Sequence, residues 1–200
     1  SGGGPPRPGE DRTQPPPGQR PPPPARKPRQ AAAAAGPRSG EPVRIAVREI
    51  GVTSPAIAAD GLLPVEFTCD GAGVSPPVEW QAGPPGTASY AVVLWHETPD
   101  GVKSYWVVYD IPASVTQLPR DSRSIGLVGA NDKGRLEYDP MCSKGPGRKE
   151  YRITVYALSE RLPLRPAAAT RAGLLEAIAK VALAEGTLAF SYSRSTQDVR

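Results

Sequence analysis

Large apolar side chains first recur at residues 43–50, where Val43, Ile45 and Val47 alternate with Arg44, Ala46 and Arg48. A period of two predicts a strand with one wet face. Residues 62–68, LLPVEFT, predict a second strand. Residues 78–80 predict a short third, which the prolines at 76 and 77 place near a sheet edge. Residues 90–96, YAVVLWH, are almost continuously apolar, the pattern of a central strand covered on both faces. Residues 104–111, SYWVVYDI, predict its hairpin partner, joined through a turn of Thr98, Pro99, Asp100 and Gly101. Alternation is expected to send Tyr105 and Trp106 to opposite faces of that strand.

The remaining pattern adds one helix. Residues 126–134 are polar and glycine-rich, hence a loop, and Tyr151, Ile153, Val155 and Tyr156 belong to a further strand. Leu174, Leu175, Ile178, Ala179, Ala182 and Leu183 recur at helical spacing and predict a helix over residues 171–185, with Thr170 as N-cap and Gly186 as its stop. Leu188, Phe190 and Tyr192 then alternate in a last strand. Many short strands and one late helix predict a mainly β fold, a β-sandwich with a peripheral C-terminal helix, over residues 43–200.

Composition changes the picture only at the N-terminus. Residues 1–42 hold 13 of the 26 prolines and no aromatic residue. Such a segment buries too little apolar surface to offset its conformational entropy, so a disordered Pro/Arg/Ala-rich tether is expected there. As polyproline II it would reach roughly 130 Å. These residues carry seven Lys or Arg against three Asp or Glu; the other 158 carry 17 of each, so the net charge of +4 belongs to the tail. The folded part therefore has no basic bias that would argue for nucleic acid. No apolar run is long enough to span a membrane. The chain begins with Ser1 rather than Met; removal of a signal peptide would explain that, as would trimming. Export followed by tethering is the expectation, with a periplasmic, cell-surface or secreted location.

The stretch most suited to binding is residues 138–158, YDPMCSKGPGRKEYRITVYAL. Gly145, Pro146 and Gly147 allow backbone amides to approach a ligand, and Arg148 and Lys149 add positive charge. Catalytic constellations have no support: His96 is the single histidine, and neither a G-x-S-x-G elbow nor a phosphate-binding G-x-x-x-x-G-K-[ST] loop occurs. No cofactor motif and no metal-ligand spacing is present. Cys69 and Cys142 are open to two readings, a disulfide closing a long loop or two separate thiols. Asp70, followed by Gly71, reads either as a turn carboxylate or as a pocket carboxylate. His96 reads as a core imidazole or a pocket group.

Four blocks, FTCDGAGVSPPVEW, SYAVVLWHETPDGVKSYWVVYDIPA, YDPMCSKGPGRKEYRITVYALS and TLAFSYSR, stand in that order across residues 43–196. Together they resemble the phosphatidylethanolamine-binding protein family, more narrowly its bacterial Raf-kinase-inhibitor-like branch. The resemblance implies a Greek-key β-sandwich with a small anion pocket at one end, a C-terminal helix and no common enzymatic activity. It implies phosphate-like or lipid-headgroup ligands and, for some members, inhibition of kinases or serine proteases by protein contact. The family pocket draws on D-P-D-x-P, a strand histidine and G-x-H-R-Y. Here His96 stands at the first acid, Tyr105 at the strand histidine, Lys149 and Glu150 at the histidine and arginine, and Tyr151 keeps the tyrosine.

The expectation is thus a non-enzymatic binding domain for an anionic or phosphate-containing ligand such as a lipid headgroup. Its site residues are His96, Tyr105, Lys149, Tyr151, Gly145 and Asp70, with no cofactor. Lys149 and Tyr151 share a strand face and Glu150 takes the other. The rival expectation is a protein-interaction module that inhibits a kinase or protease and keeps a vestigial pocket.

Overall fold

The structure is a computed structural model and describes residues 1–5, 9, 17–18, 48–143 and 147–194. The chain divides into two units, Ser1–Val43 and Arg44–Arg200. Most of the expected tether, residues 43–47 of the first expected strand, and Gly145 lie outside the described residues.

The second unit is built on two sheets. The larger has six strands in the order β1 (Arg48–Glu49), β9 (Ala182–Tyr192), β8 (Lys149–Leu158), β4 (Ser89–Thr98), β5 (Gly101–Pro112) and β7 (Leu127–Val128). The smaller runs β2 (Val52–Thr53), β3 (Val78–Trp80), β6 (Gln117–Leu118). Among the described strands only β1 and β9 pair in parallel; every other neighbouring pair is antiparallel.

Both faces of the large sheet are covered, which is why its middle strands read as unbroken apolar runs. One face meets the small sheet: Val92, Leu94, Trp106, Val108, Ile153 and Val155 pack with Val52, Val78, Trp80 and Leu118. The opposite face, through Ala91, Val93, Val107, Tyr109 and Leu158, packs under α1 (Arg171–Ile178), where Leu174 and Ile178 are fully buried. Burying one such side chain contributes about 1.5–3 kcal/mol. The Thr170 hydroxyl accepts from the Gly173 amide at 3.0 Å and caps the helix.

Five expectations change. Residues 62–68 form no strand; the centre is a short 3-10 turn at Val65–Phe67, flanked by isolated bridges from Leu62 to Ser191 and Thr68 to Met141. Pro64 lacks a ladder donor, and Leu63 and Phe67 are buried while Val65 is 54% exposed, the period of a turn rather than of a strand. The helix ends at Ile178, not at residue 185. Ala182 and Leu183 fit helical spacing, but β9 pairs with β8 from Ala182 onward, and that ladder prevails. Gly186 consequently stops no helix. It lies within β9, where a Cβ would come 1.8 Å from the Ile50 carbonyl oxygen. Finally, β3 is the middle strand of the small sheet rather than an edge, and residues 126–134 contain β7.

Candidate functional site

A cavity of about 370 Å³ opens at the end of the large sheet where β4 finishes and β5 and β8 begin. His96 and Thr98 come from β4, Lys103, Ser104 and Tyr105 from β5, and Lys149 and Tyr151 from β8. The loop after β7 closes the remaining side with Asp132, Lys133, Asp139, Pro140, Cys142 and Ser143.

Local backbone detail places these groups. Along the β4–β5 hairpin, Leu94 faces Trp106 but Trp95 faces Ser104, leaving Tyr105 as the extra residue of a β-bulge. Tyr105 and Trp106 therefore pack against the same core cluster, contrary to simple alternation. On β8 alternation holds: Lys149 and Tyr151 line the cavity, while Glu150 is exposed and pairs with Arg152 at 3.0 Å. The Glu150 carbonyl accepts from His96 Nδ1 at 2.6 Å. A carbonyl only accepts, so Nδ1 carries the hydrogen of that bond.

The loop wall is organised by Asn131, which is 3% exposed. Its side-chain oxygen accepts from the amides of Lys133 and Arg135, and its NH2 donates to the Glu137 carbonyl. The same wall is fixed to β5: the Ser104 amide donates to Asp132 Oδ2 at 2.8 Å, and the Asp139 amide donates to the Tyr105 carbonyl at 2.9 Å. Lys133 Nζ reaches Asp139 Oδ1 at 3.1 Å. Cys69 and Cys142 are joined as a disulfide, with Cα atoms 5.4 Å apart.

The ring of Tyr151 is the hub of an aromatic floor. Its centroid lies 4.8 Å from that of His96 and 5.7 Å from that of Tyr105, and it stacks on Phe190 at 6.0 Å. Desolvation pushes the Tyr105 phenol well above its ordinary pKa, and Tyr151, Asp139 and Asp132 push the same way. Desolvation also raises Tyr151, which the nearby Ser143 hydroxyl partly offsets. Both phenols thus stay protonated and act as donors at neutral pH. That nearby hydroxyl nevertheless makes no hydrogen bond of normal geometry: the Ser143 and Ser104 oxygens are buried and have no partner among the described residues. Ser104 is 2% exposed and Ser143 1%.

Asp70 does not join this group. Its carboxylate takes a two-pronged contact from Arg194, with Nη2 at 2.8 Å, and accepts from the Tyr192 hydroxyl. These bonds hold its carboxyl below the usual aspartate range. A second cavity of about 470 Å³ shares Pro140 and is walled by Val74, Trp106 and Tyr138. Its rim charges Asp121 and Arg123 already pair at 2.8 Å, and among the described residues no unpartnered buried polar atom lines it. The first cavity is the better candidate. Among the described residues no group of three or more His, Cys, Asp or Glu is placed to hold a metal ion.

Residues 53–193 match the sequence profile of the phosphatidylethanolamine-binding protein family. The chain belongs to that family. Family relatives include the UPF0098 protein of Methanothermobacter thermautotrophicus, 33% identical over 67% of this chain and 92% of its own length. A Mycobacterium tuberculosis protein named as a lipoprotein, LppC, is 34% identical over 72% of each chain. Among solved structures, the Chlamydia trachomatis family homologue CT736 superposes with a TM-score of 0.68 at 25% identity, covering 74% of this chain and 99% of that one. Escherichia coli YbcL, titled a member of the mammalian family, gives 0.66 over the same shares, also at 25%.

Within this family fold the cavity carries groups that sequence reading did not single out: Lys103, Ser104, Asp132, Lys133, Asp139 and Ser143. Asn-Asp-Lys-Gly at 131–134 has the composition of an ordinary turn, and nothing in its order announces that Asn131 is buried. The serines carry no local signal at all.

Proposed function

We propose that this family member is a non-enzymatic binding domain whose cavity takes a small anion or a phosphate-containing group such as a lipid headgroup. The observation that carries this reading is a cavity lined by Lys103, Lys133 and Lys149 together with Ser104 and Ser143, whose buried hydroxyls have no partner among the described residues. A buried hydroxyl without a partner costs about 1–3 kcal/mol. A ligand oxyanion that accepts from both hydroxyls removes that cost, and the ammonium groups make the bonds charge-assisted. Tyr105 and Tyr151 supply two more donors. The family description, and a sequence with neither a G-x-S-x-G elbow nor a G-x-x-x-x-G-K-[ST] loop, favour binding over turnover.

The domain is further proposed to work outside the cytoplasm. The lipoprotein name of LppC and the Cys69–Cys142 bridge favour this location, because disulfides persist in oxidising compartments.

An NMR titration with inorganic phosphate tests the ligand claim. Resonances of His96, Ser104, Ser143 and Tyr151 are expected to move together and saturate at millimolar phosphate, and Lys149→Glu is expected to abolish the shift. Unmoved cavity resonances would overturn the proposal.

A further inference from the structure

The Cys69–Cys142 bridge has two unlike ends. Cys142 is exposed and lines the cavity at the end of the large sheet, whereas Cys69 is partly buried and does not line it. Arg194 lies against Cys69, with Nη2 3.8 Å from Sγ, and the same nitrogen donates to Asp70 Oδ1 at 2.8 Å. One sulfur therefore opens on a cavity, and the other has a guanidinium and a carboxylate beside it.

Thiol–disulfide exchange makes those differences chemical. A thiolate attacks one sulfur in line with the bridge, and the other sulfur leaves as a thiolate. An attacker at Cys69 meets the Arg194 side chain and the Asp70 carboxylate, whose charge repels it. An attacker at Cys142 arrives through the cavity. The departing Cys69 sulfur then accepts an N–H from the Arg194 guanidinium, and a thiolate beside a cation is the better leaving group. The charge of Asp70 is already matched by the two prongs of Arg194 and by the Tyr192 hydroxyl. Exposed bridges are the exchangeable class of disulfide.

We propose that this bridge is a thiol–disulfide exchange site, in which Cys142 takes a low-molecular-weight thiol and Cys69 is the leaving and resolving sulfur. The incoming thiolate forms a bond to Cys142 Sγ, the Cys69–Cys142 bond breaks, and its electron pair stays on Cys69 Sγ. The Cys69 thiolate reverses the step by attacking Cys142 Sγ and expelling the thiol as its thiolate. Resolution is favoured because the two segments remain attached: the Cys69 amide donates to the Met141 carbonyl, and the Tyr138 hydroxyl to the Phe67 carbonyl. A second thiolate that attacks the bound thiol instead leaves both cysteines reduced and releases the two thiols as their disulfide. The site stands whether or not the cavity takes an anion.

The test uses the folded, oxidised full chain and reduced glutathione at millimolar concentration. Exchange is stopped with acid, the freed thiol is labelled with N-ethylmaleimide, and both cysteines are mapped by peptide mass spectrometry. Glutathione is expected on Cys142 and the maleimide on Cys69. Arg194→Ala is expected to slow the exchange about fivefold, because it removes the cation that stabilises the departing thiolate and leaves Asp70 unmatched beside it.

If Arg194 only shields the bridge, the same variant exchanges faster and carries glutathione on Cys69, which overturns the proposal. Glutathione on Cys69 of the parent chain, or an even split between the two cysteines, overturns it too. So does a bridge that resists glutathione in the folded protein and exchanges only in urea.

Discussion

Removing the Cys69–Cys142 bridge with Cys69→Ser and Cys142→Ser isolates what the covalent bond contributes. The bond spans 73 residues and so closes a long loop in the unfolded chain. The chain-entropy relation gives about 4 kcal/mol for a loop of that size. In the native state the two segments stay attached without the bond. The Cys69 amide donates to the Met141 carbonyl at 3.2 Å, Thr68 bridges Met141, and the Tyr138 hydroxyl donates to the Phe67 carbonyl at 2.6 Å.

The loss should therefore fall on the unfolded side, leaving the cavity wall at Cys142 and Ser143 in place. Urea unfolding is expected to show a stability loss of about 4 kcal/mol. A phosphate titration of the same variant is expected to show affinity within a few-fold of the parent. A loss below about 1 kcal/mol would refute the loop-closure reasoning. Collapse of phosphate affinity in a variant that remains folded would refute the claim that the non-covalent contacts hold the wall.

Four further outcomes follow from the packing and charges. Gly186→Ala puts a Cβ 1.8 Å from the Ile50 carbonyl oxygen, so β1 must leave β9; a loss of roughly 3 kcal/mol is expected in urea unfolding, and a neutral result would contradict this packing. Asn131→Ala removes three loop bonds from a buried position and is expected to cost about 2–4 kcal/mol and to weaken phosphate binding, measured by unfolding and titration together. Asp70 has a depressed folded pKa, so its stabilising contribution is present above the ordinary aspartate value of about 3.9 and is lost as pH falls through the lower folded value. Arg194→Ala is expected to move the Asp70 carboxyl back toward the ordinary range in an NMR titration.

The middle of the fold was legible because burial on both faces leaves a plain mark: YAVVL and WVVY are apolar without a break, and they became β4 and β5. Cues that serve two structures were not legible. Ala182 and Leu183 suit a helix face as well as a strand, and only pairing with β8 decides between them. In LLPVEFT the alternation is broken by Pro64 and resolved by a turn. Of the site residues named from sequence, His96, Tyr105, Lys149 and Tyr151 line one cavity, whereas Asp70 is taken by Arg194 and Tyr192. The bulge that turns Tyr105 inward depends on register between two strands. The orphan state of Ser104 and Ser143 depends on what is missing around them, and neither is written in any local pattern.

A crystal structure of the domain soaked in phosphate tests the central claim most directly. An anion oxygen is expected within about 2.7–3.2 Å of both Ser104 Oγ and Ser143 Oγ. An empty cavity in which each hydroxyl has turned to a water or a backbone carbonyl, with phosphate bound elsewhere, would contradict it.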